Sequence, residues 1–298
     1  MADVRAAAPR LATPPTRPEY LRDTVASTDI GVIEKPLTLL EKLASQAWLR
    51  KVLILCVVAL AWQLYALRLN NPLLVPTFTA TLEAFWHAIA NGDIPQKMWN
   101  SVLLLLKGYS VGLVLAMTLT ALAMMSRLGT DFLETLTAAF NPLPAIALLP
   151  LALIWFGLGD VSIIFVLVHS VLWAVALNTH SGFRSVSNTL RMVGRNYGLT
   201  GLRLIAKILI PAAFPSILTG LKIGWAFAWR TLIAAELVFG VSSGKGGLGW
   251  YIYENKNMLD IPAVFAGLFT VILIGLIVEN LIFRNIEAAT VRRWGMQT

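Results

Sequence analysis

Six apolar runs, each close to the roughly 20 residues needed to cross a bilayer core, occupy about 52–69, 101–125, 132–156, 161–179, 212–241 and 261–283. Hydrocarbon offers no water to bond a peptide group, so each such segment must satisfy its own N–H and C=O groups by coiling into a helix. The expected fold is therefore an all-α membrane protein with about six transmembrane helices over 52–284. Composition agrees: 57% of the 298 residues are hydrophobic and 13% charged, against roughly 25% charged in a soluble domain. The net charge of +8 is not a nucleic-acid patch, because the basic residues sit between the apolar runs, where the partner they imply is membrane lipid.

Their placement orients the chain. Arg5, Arg10, Arg17, Arg22, Lys35, Lys42, Arg50 and Lys51 precede the first run, and Arg127 follows the second. Arg184, Arg191, Arg195, Arg203 and Lys207 separate the fourth and fifth, and Arg284, Arg292 and Arg293 follow the last. The alternate loops hold only Lys97, Lys245 and Lys256, with Arg68 at a span end. Positively charged loops stay in the cytoplasm, so both termini are expected there, in a bacterial inner membrane crossed many times. Residues 1–35 have no apolar period, and no h-region followed by a cleavage site. They are expected to be a disordered cytoplasmic tail. Over 36–51, Leu37, Leu40, Leu43 and Trp48 share a face, as in an amphipathic interfacial helix. Residues 285–298 form a second cytoplasmic tail. Cys56, the single cysteine, allows no intrachain disulfide and is expected to be a small apolar core residue.

Pro142, Pro144 and Pro150 fall in the third run, which should be a bent or broken helix. Such backbone is tolerated at membrane depth only against protein or a water-filled cavity. A charge at mid-span costs roughly 2.5–3.5 kcal/mol, so each one needs a reason. In the fifth run Lys222, Trp225, Trp229 and Glu236 fall within about a 60° arc of the helix, with Arg230 on a neighbouring face. One reading makes Arg230, Trp229, Trp225, Glu236, Pro142, Pro144 and His169 the translocation pathway, with Arg230 or Lys222 attracting an anion. The other is structural: Lys222 and Lys107 snorkel, Glu236 makes a packing bond, and His169 is a neutral imidazole bonded to a neighbour. Two G-x-x-x-G pairs, Gly108/Gly112 and Gly220/Gly224, allow close helix approach, which makes the fifth span a candidate dimer contact. No nucleophile elbow, paired carboxylates or metal-ligand cluster occurs, so neither a catalytic nor a metal site is expected.

The longest loop on the basic side, 181–210, contains Ser187 or Asn188 as a cap for a helix from Thr189. Gly198 either ends that helix or admits a second element, and an amphipathic turn over 202–210 leads to Pro211 at the start of the fifth span. This helix–glycine–helix resembles the EAA loop of ATP-binding-cassette importer permeases. The match runs through Met192-Val193-Gly194, then Gly198, Ile208 and Ile210-Pro211. Met192 stands where the family's acid would be, which fits contact by burial rather than charge. Asn141-Pro-Leu-Pro144, the run from Leu149 to Gly159, Asn178 with Gly182-Phe-Arg-Ser-Val186, the run from Pro211 to Gly224, and Ala234-Ala-Glu236 resemble the branch for alkanesulfonates, taurine, nitrate and bicarbonate. The similarity covers about 74–283. It implies a type I importer permease fold working as a homodimer, with two ATP-binding-cassette ATPase subunits and a periplasmic solute-binding protein. It also implies ATPase coupling through Met192, Val193, Gly194, Gly198, Ile208 and Pro211. No G-x-x-x-x-G-K-[ST] phosphate loop is present, since Gly244-Lys245-Gly246 lacks the spacing and the hydroxyl residue. ATP and Mg would therefore be bound by the partner, with no cofactor in this chain and no enzymatic activity of its own.

Two other classes stay open on the residues alone. A secondary transporter driven by an ion gradient would normally show two related halves, and spans one to three do not convincingly repeat in four to six. A non-transporting scaffold would leave the polar stripe and the broken helix without a purpose.

Overall fold

The computed structural model describes residues 46–239 and 246–295, and among these every regular element is helical. The expected tail 1–35 and most of the expected interfacial helix lie outside the described residues; 47–51 already belong to the first long helix. The chain divides into two units, Met1–Leu55 and Cys56–Thr298. Of the first, only the opening turns of that helix are described.

In chain order the helices are α1 (Ala47–Leu69), α2 (Phe78–Ala90), α3 (Asp93–Ala123), α4 (Arg127–Phe140), α5 (Leu149–Phe156) and α6 (Asp160–Ser185). They are followed by α7 (Asn188–Asn196), α8 (Gly201–Leu204), α9 (Ile210–Phe239), α10 (Leu248–Asn257) and α11 (Ile261–Ile277). α1, α3, α6, α9 and α11 are long and apolar enough to cross a membrane, the last running on through further turns to Arg292. The third run is satisfied differently. α4 and the short stretch Ala145–Phe156 meet at a bend of 87°, with Pro142 and Pro144 in the break. Pro150 lies in the first turn of α5, where a missing N–H removes no helix bond, and it breaks nothing.

This broken pair tracks the whole of α6. Glu134 pairs with Arg184 at one end, and Phe140 stacks on Trp173 in the middle. At the far end the Ser162 hydroxyl donates to the carbonyls of Ala152 and Gly157. From Ser162 to Arg184 at about 1.5 Å per residue is about 33 Å, the thickness of a bilayer core. The pair is one broken span.

α6 is the hub, because glycines let two neighbours press against it. A Cβ on Gly108 or Gly112 of α3 would lie 2.6 Å from Leu167 Cβ or 2.8 Å from Val171 Cβ. On α9, one at Gly220 would meet Asn178 Cβ at 2.8 Å, and one at Gly224 would meet Val175 Cγ2 at 3.0 Å. Backbones this close gain dispersion contacts that larger side chains would prevent. The close approach expected at Gly220/Gly224 is thus made, and it is made inside the chain, not at the candidate dimer contact. Cys56 departs from expectation too: it is exposed, on a helix whose only buried residue is Ala66.

Pro211 does not start the fifth span. The helix runs unbroken from Gly201 to Val238, and Ile205–Leu209, just before the proline, widens into a π turn. The wider turn accommodates a residue that has no N–H to give and whose ring crowds the preceding turn. The short helices mark the two ends of the bundle. α10 meets the start of α3 and the end of α9, whereas α7 lies at the opposite end, against the segment leading into α9.

Candidate functional site

Two features outside the packed interior stand out: a rigid helix at one end of the bundle and a cavity at the break. The helix is α7. The Ser187 hydroxyl accepts from Leu190 N at 3.4 Å and caps its start. Its end is a Schellman turn: Leu199 N donates to Gly194 O at 3.0 Å and Gly198 N to Arg195 O at 2.8 Å. That turn places Gly198 at φ +74°, while a Cβ there would meet nothing within 4 Å. Gly198 is therefore needed for conformation and not for space. The close approach belongs to Gly194, where a Cβ would lie 2.7 Å from Leu204 and 3.0 Å from Ile208. Arg191 reaches back to the carbonyls of Phe183 and Val186 at the end of α6. So α7 is tied to both α6 and the segment entering α9, and a push on it reaches two spans. Leu190, Met192 and Val193 of this helix and Tyr197 at its end are all exposed. Pro211 is also exposed, and Ile208 is half-buried against Gly194.

The cavity, about 340 Å³, opens where the third span breaks; Pro142, Pro144, His169, Trp173, Phe227 and Arg230 line it. The broken backbone, expected to lie against protein or a cavity, borders this one. Phe140 stacks on Trp173 at 5.3 Å between ring centroids, giving an aromatic wall. Arg230 lies over Phe227 at 5.2 Å, and its Nε donates to Ala226 O in its own helix. Both ring nitrogens of His169 and the Trp173 Nε1 are buried without a hydrogen-bond partner among the described residues. A buried polar group left unmet costs about 1–3 kcal/mol, and the set comprises the indole N–H, one imidazole N–H and one imidazole acceptor nitrogen; Arg230 favours a negative guest.

Residues 108–292 match the family model described as binding-protein-dependent transport system inner membrane component. The chain belongs to that family. An ABC transporter permease protein of Methanocaldococcus jannaschii is 29% identical over 243 residues, 80% of this chain and 90% of its own length. The aliphatic sulfonates transport permease protein SsuC of Escherichia coli is 29% identical over 202 residues, 68% of this chain and 75% of its own. The taurine transport system permease protein TauC of E. coli is 27% identical over 232 residues, 73% of this chain and 80% of its own. This is a multi-pass inner-membrane permease subunit of a binding-protein-dependent transport system.

Within this permease the residues singled out from sequence separate into two groups. Arg230, His169, Pro142 and Pro144 come together at the cavity. The stripe on α9 does not join them. Trp225 packs against Tyr109 and Phe283, Trp229 Nε1 donates to Val271 O at 3.2 Å, and Lys222 pairs with Glu287 at 2.5 Å. Glu236 is 3% exposed; its carboxylate accepts from the Ser101 hydroxyl and Gly249 N at 2.8 Å each, while Leu248 N donates to Ser101 Oγ at 2.8 Å. It thereby fastens α10 by its N-terminus to α3 and α9. His169 has no bonded neighbour among the described residues, contrary to the structural reading of it. Phe140, Trp173 and Phe227 were missed from sequence. Trp173 lies four residues after His169, one helical turn on the same face, and that spacing was the available signal.

Proposed function

We propose that this permease is the membrane-spanning half of an ATP-driven importer for a small organic or inorganic anion of the sulfonate, taurine, nitrate or bicarbonate type. It works as a homodimer with two ATPase subunits and a solute-binding protein, and both termini are cytoplasmic. The observation that carries this reading is α7, a capped helix with exposed apolar side chains at the end of the bundle that carries Arg184, Arg191, Arg195 and Arg203. An exposed apolar patch at a water-facing end calls for a protein partner, and the basic residues favour the cytoplasm. ATP binding by the partner subunits draws the two α7 helices together; Arg191 and Gly194 pass that motion to α6 and α9, which flank the cavity. The sulfonates and taurine named for the relatives, together with Arg230 at the cavity, support an anion. The cavity's alternating exposure is what hydrolysis resets.

The decisive variant is Gly198→Leu. A side chain in the left-handed region costs about 1–2 kcal/mol, which misdirects α7 without touching the cavity. In proteoliposomes containing the ATPase and the binding protein, solute-stimulated ATP hydrolysis and uptake should fall together, and Gly198→Asn should be milder, since asparagine tolerates this conformation. Survival of both activities in Gly198→Leu removes the coupling assignment, and uptake by the permease without any ATPase removes the importer reading altogether.

A further inference from the structure

The cavity at the break is not isolated. Asn141 and Pro142 line both it and a second cavity of about 520 Å³, in the groove between α4 and α6. Glu134, His180 and Arg184 line that second cavity and also a third, of about 420 Å³, which Arg191 borders. Neighbouring cavities thus share lining residues, in a series that leads from Arg230 to the residue that anchors α7. Where the second meets the third, Glu134 pairs with Arg184.

The second cavity has the lining of a site and not of a packing defect. His180 is 5% exposed and Thr137 4%; His180 Nε2 and Thr137 Oγ1, both buried, have no hydrogen-bond partner among the described residues. His180 Nδ1 lies 3.9 Å from Glu134 Oε1. Buried polar atoms call for a partner, and both residues line this cavity. The cation there, Arg184, is already held by a carboxylate of the chain itself, and a carboxylate is a small oxyanion on a short tether.

We infer that the groove between α4 and α6 is a second oxyanion site on the solute's route, kept filled by Glu134: the side-chain carboxylate holds Arg184 when the route is empty, and the negative group of the passing solute displaces it. His180 and Thr137 supply the neutral contacts, and the guanidinium geometry suits any planar or pyramidal oxyanion, sulfonate, carboxylate or nitrate alike. An internal competitor lowers affinity at this point, so an anion arriving from the Arg230 cavity is handed on and not trapped. The site rests on the transport reading above, and its position beside Arg191 puts it where movement of α7 would reach it first.

The test uses the full complex in lipid with Cys56→Ser and Ser181→Cys, since Ser181 is exposed and lines the second cavity. Two thiol reagents of similar size are compared, the anionic 2-sulfonatoethyl and the cationic 2-(trimethylammonium)ethyl methanethiosulfonate. The rate ratio should favour the sulfonate. Arg184→Gln should lower the ratio, and Glu134→Gln raise it, by about tenfold each, the scale set by removing one full charge from a half-solvated site. Because both reagents report on the same thiol, a variant that merely loosens the fold changes both rates and leaves the ratio alone. A ratio indifferent to both substitutions overturns the site. ATP-driven uptake is measured alongside: uptake without charge selectivity overturns this site and leaves the importer standing, whereas charge selectivity with no ATP-dependent uptake keeps the site and overturns the importer.

Discussion

Arg230 and Glu236 lie less than two turns apart on α9, yet the structure treats them in opposite ways. Glu236 is buried, and its carboxylate is met by the Ser101 hydroxyl and a backbone N–H of α10. Arg230 is exposed at the cavity and, among the described residues, hydrogen-bonds only a carbonyl of its own helix. A charge inside a membrane protein persists either because the chain satisfies it or because something that passes through will. The difference separates a structural residue from a candidate functional one more sharply than burial or sequence position does. The same contrast holds on α6, where the Ser170 hydroxyl donates to Leu167 O while His169 beside it bonds nothing among the described residues.

The comparison is open to attack from both sides. Glu236→Leu should have the largest effect. It leaves Gly249 N–H and the Ser101 hydroxyl unmet, at about 1–3 kcal/mol for each buried group, and releases the N-terminus of α10. The expected result is a marked drop in folded yield and in the thermal midpoint in detergent, with Glu236→Gln intermediate because the amide keeps one acceptor. An unchanged midpoint in Glu236→Leu would mean that the clamp does not hold the outer end together. Arg230→Ala should do the reverse: uptake falls by about tenfold or more, the size of one lost charge-assisted contact of about 1.5–3 kcal/mol, while the midpoint stays put. Unchanged uptake and half-saturation would take Arg230 out of the solute path. The smallest effect belongs to Trp173→Phe, which keeps the stack on Phe140 but removes the unmet N–H. Stability should hold or rise slightly, and half-saturation should weaken by about two- to fivefold, a neutral hydrogen bond being worth about 0.5–1.5 kcal/mol. A loss of stability without any transport effect would make the indole a packing residue, like the Trp229 bond to Val271.

Much of the fold was legible. The six runs, the cap at Ser187, the helix stop at Gly198 and the break at Pro142 and Pro144 all follow from backbone chemistry local to a few residues. Other features were read less fully for one shared reason. Trp225, Trp229 and Glu236 were grouped with Arg230 because helical periodicity shows which residues share a face, and it is silent on what covers that face. Gly220 and Gly224 announced close packing, which the structure has, but made the fifth span a candidate dimer contact because a small-residue stripe does not name its packing partner. Cys56 was placed in a core because apolar runs look alike whether protein or lipid surrounds them. Glu134, His180 and Arg184 come from helices far apart in sequence, and no spacing rule joins them.

The sequence by itself determined that this chain must be a helical membrane protein with a broken third span and a glycine-terminated helix beside the fifth, because each depends on hydration of the peptide group or on the dihedral angles of single residues. Only the tertiary structure decided that α6 would be the hub, that Glu236 would fasten the outer helix, and that Arg230 would face open space over the break. Those outcomes depend on which surfaces meet, a property of pairs of segments that no single segment carries.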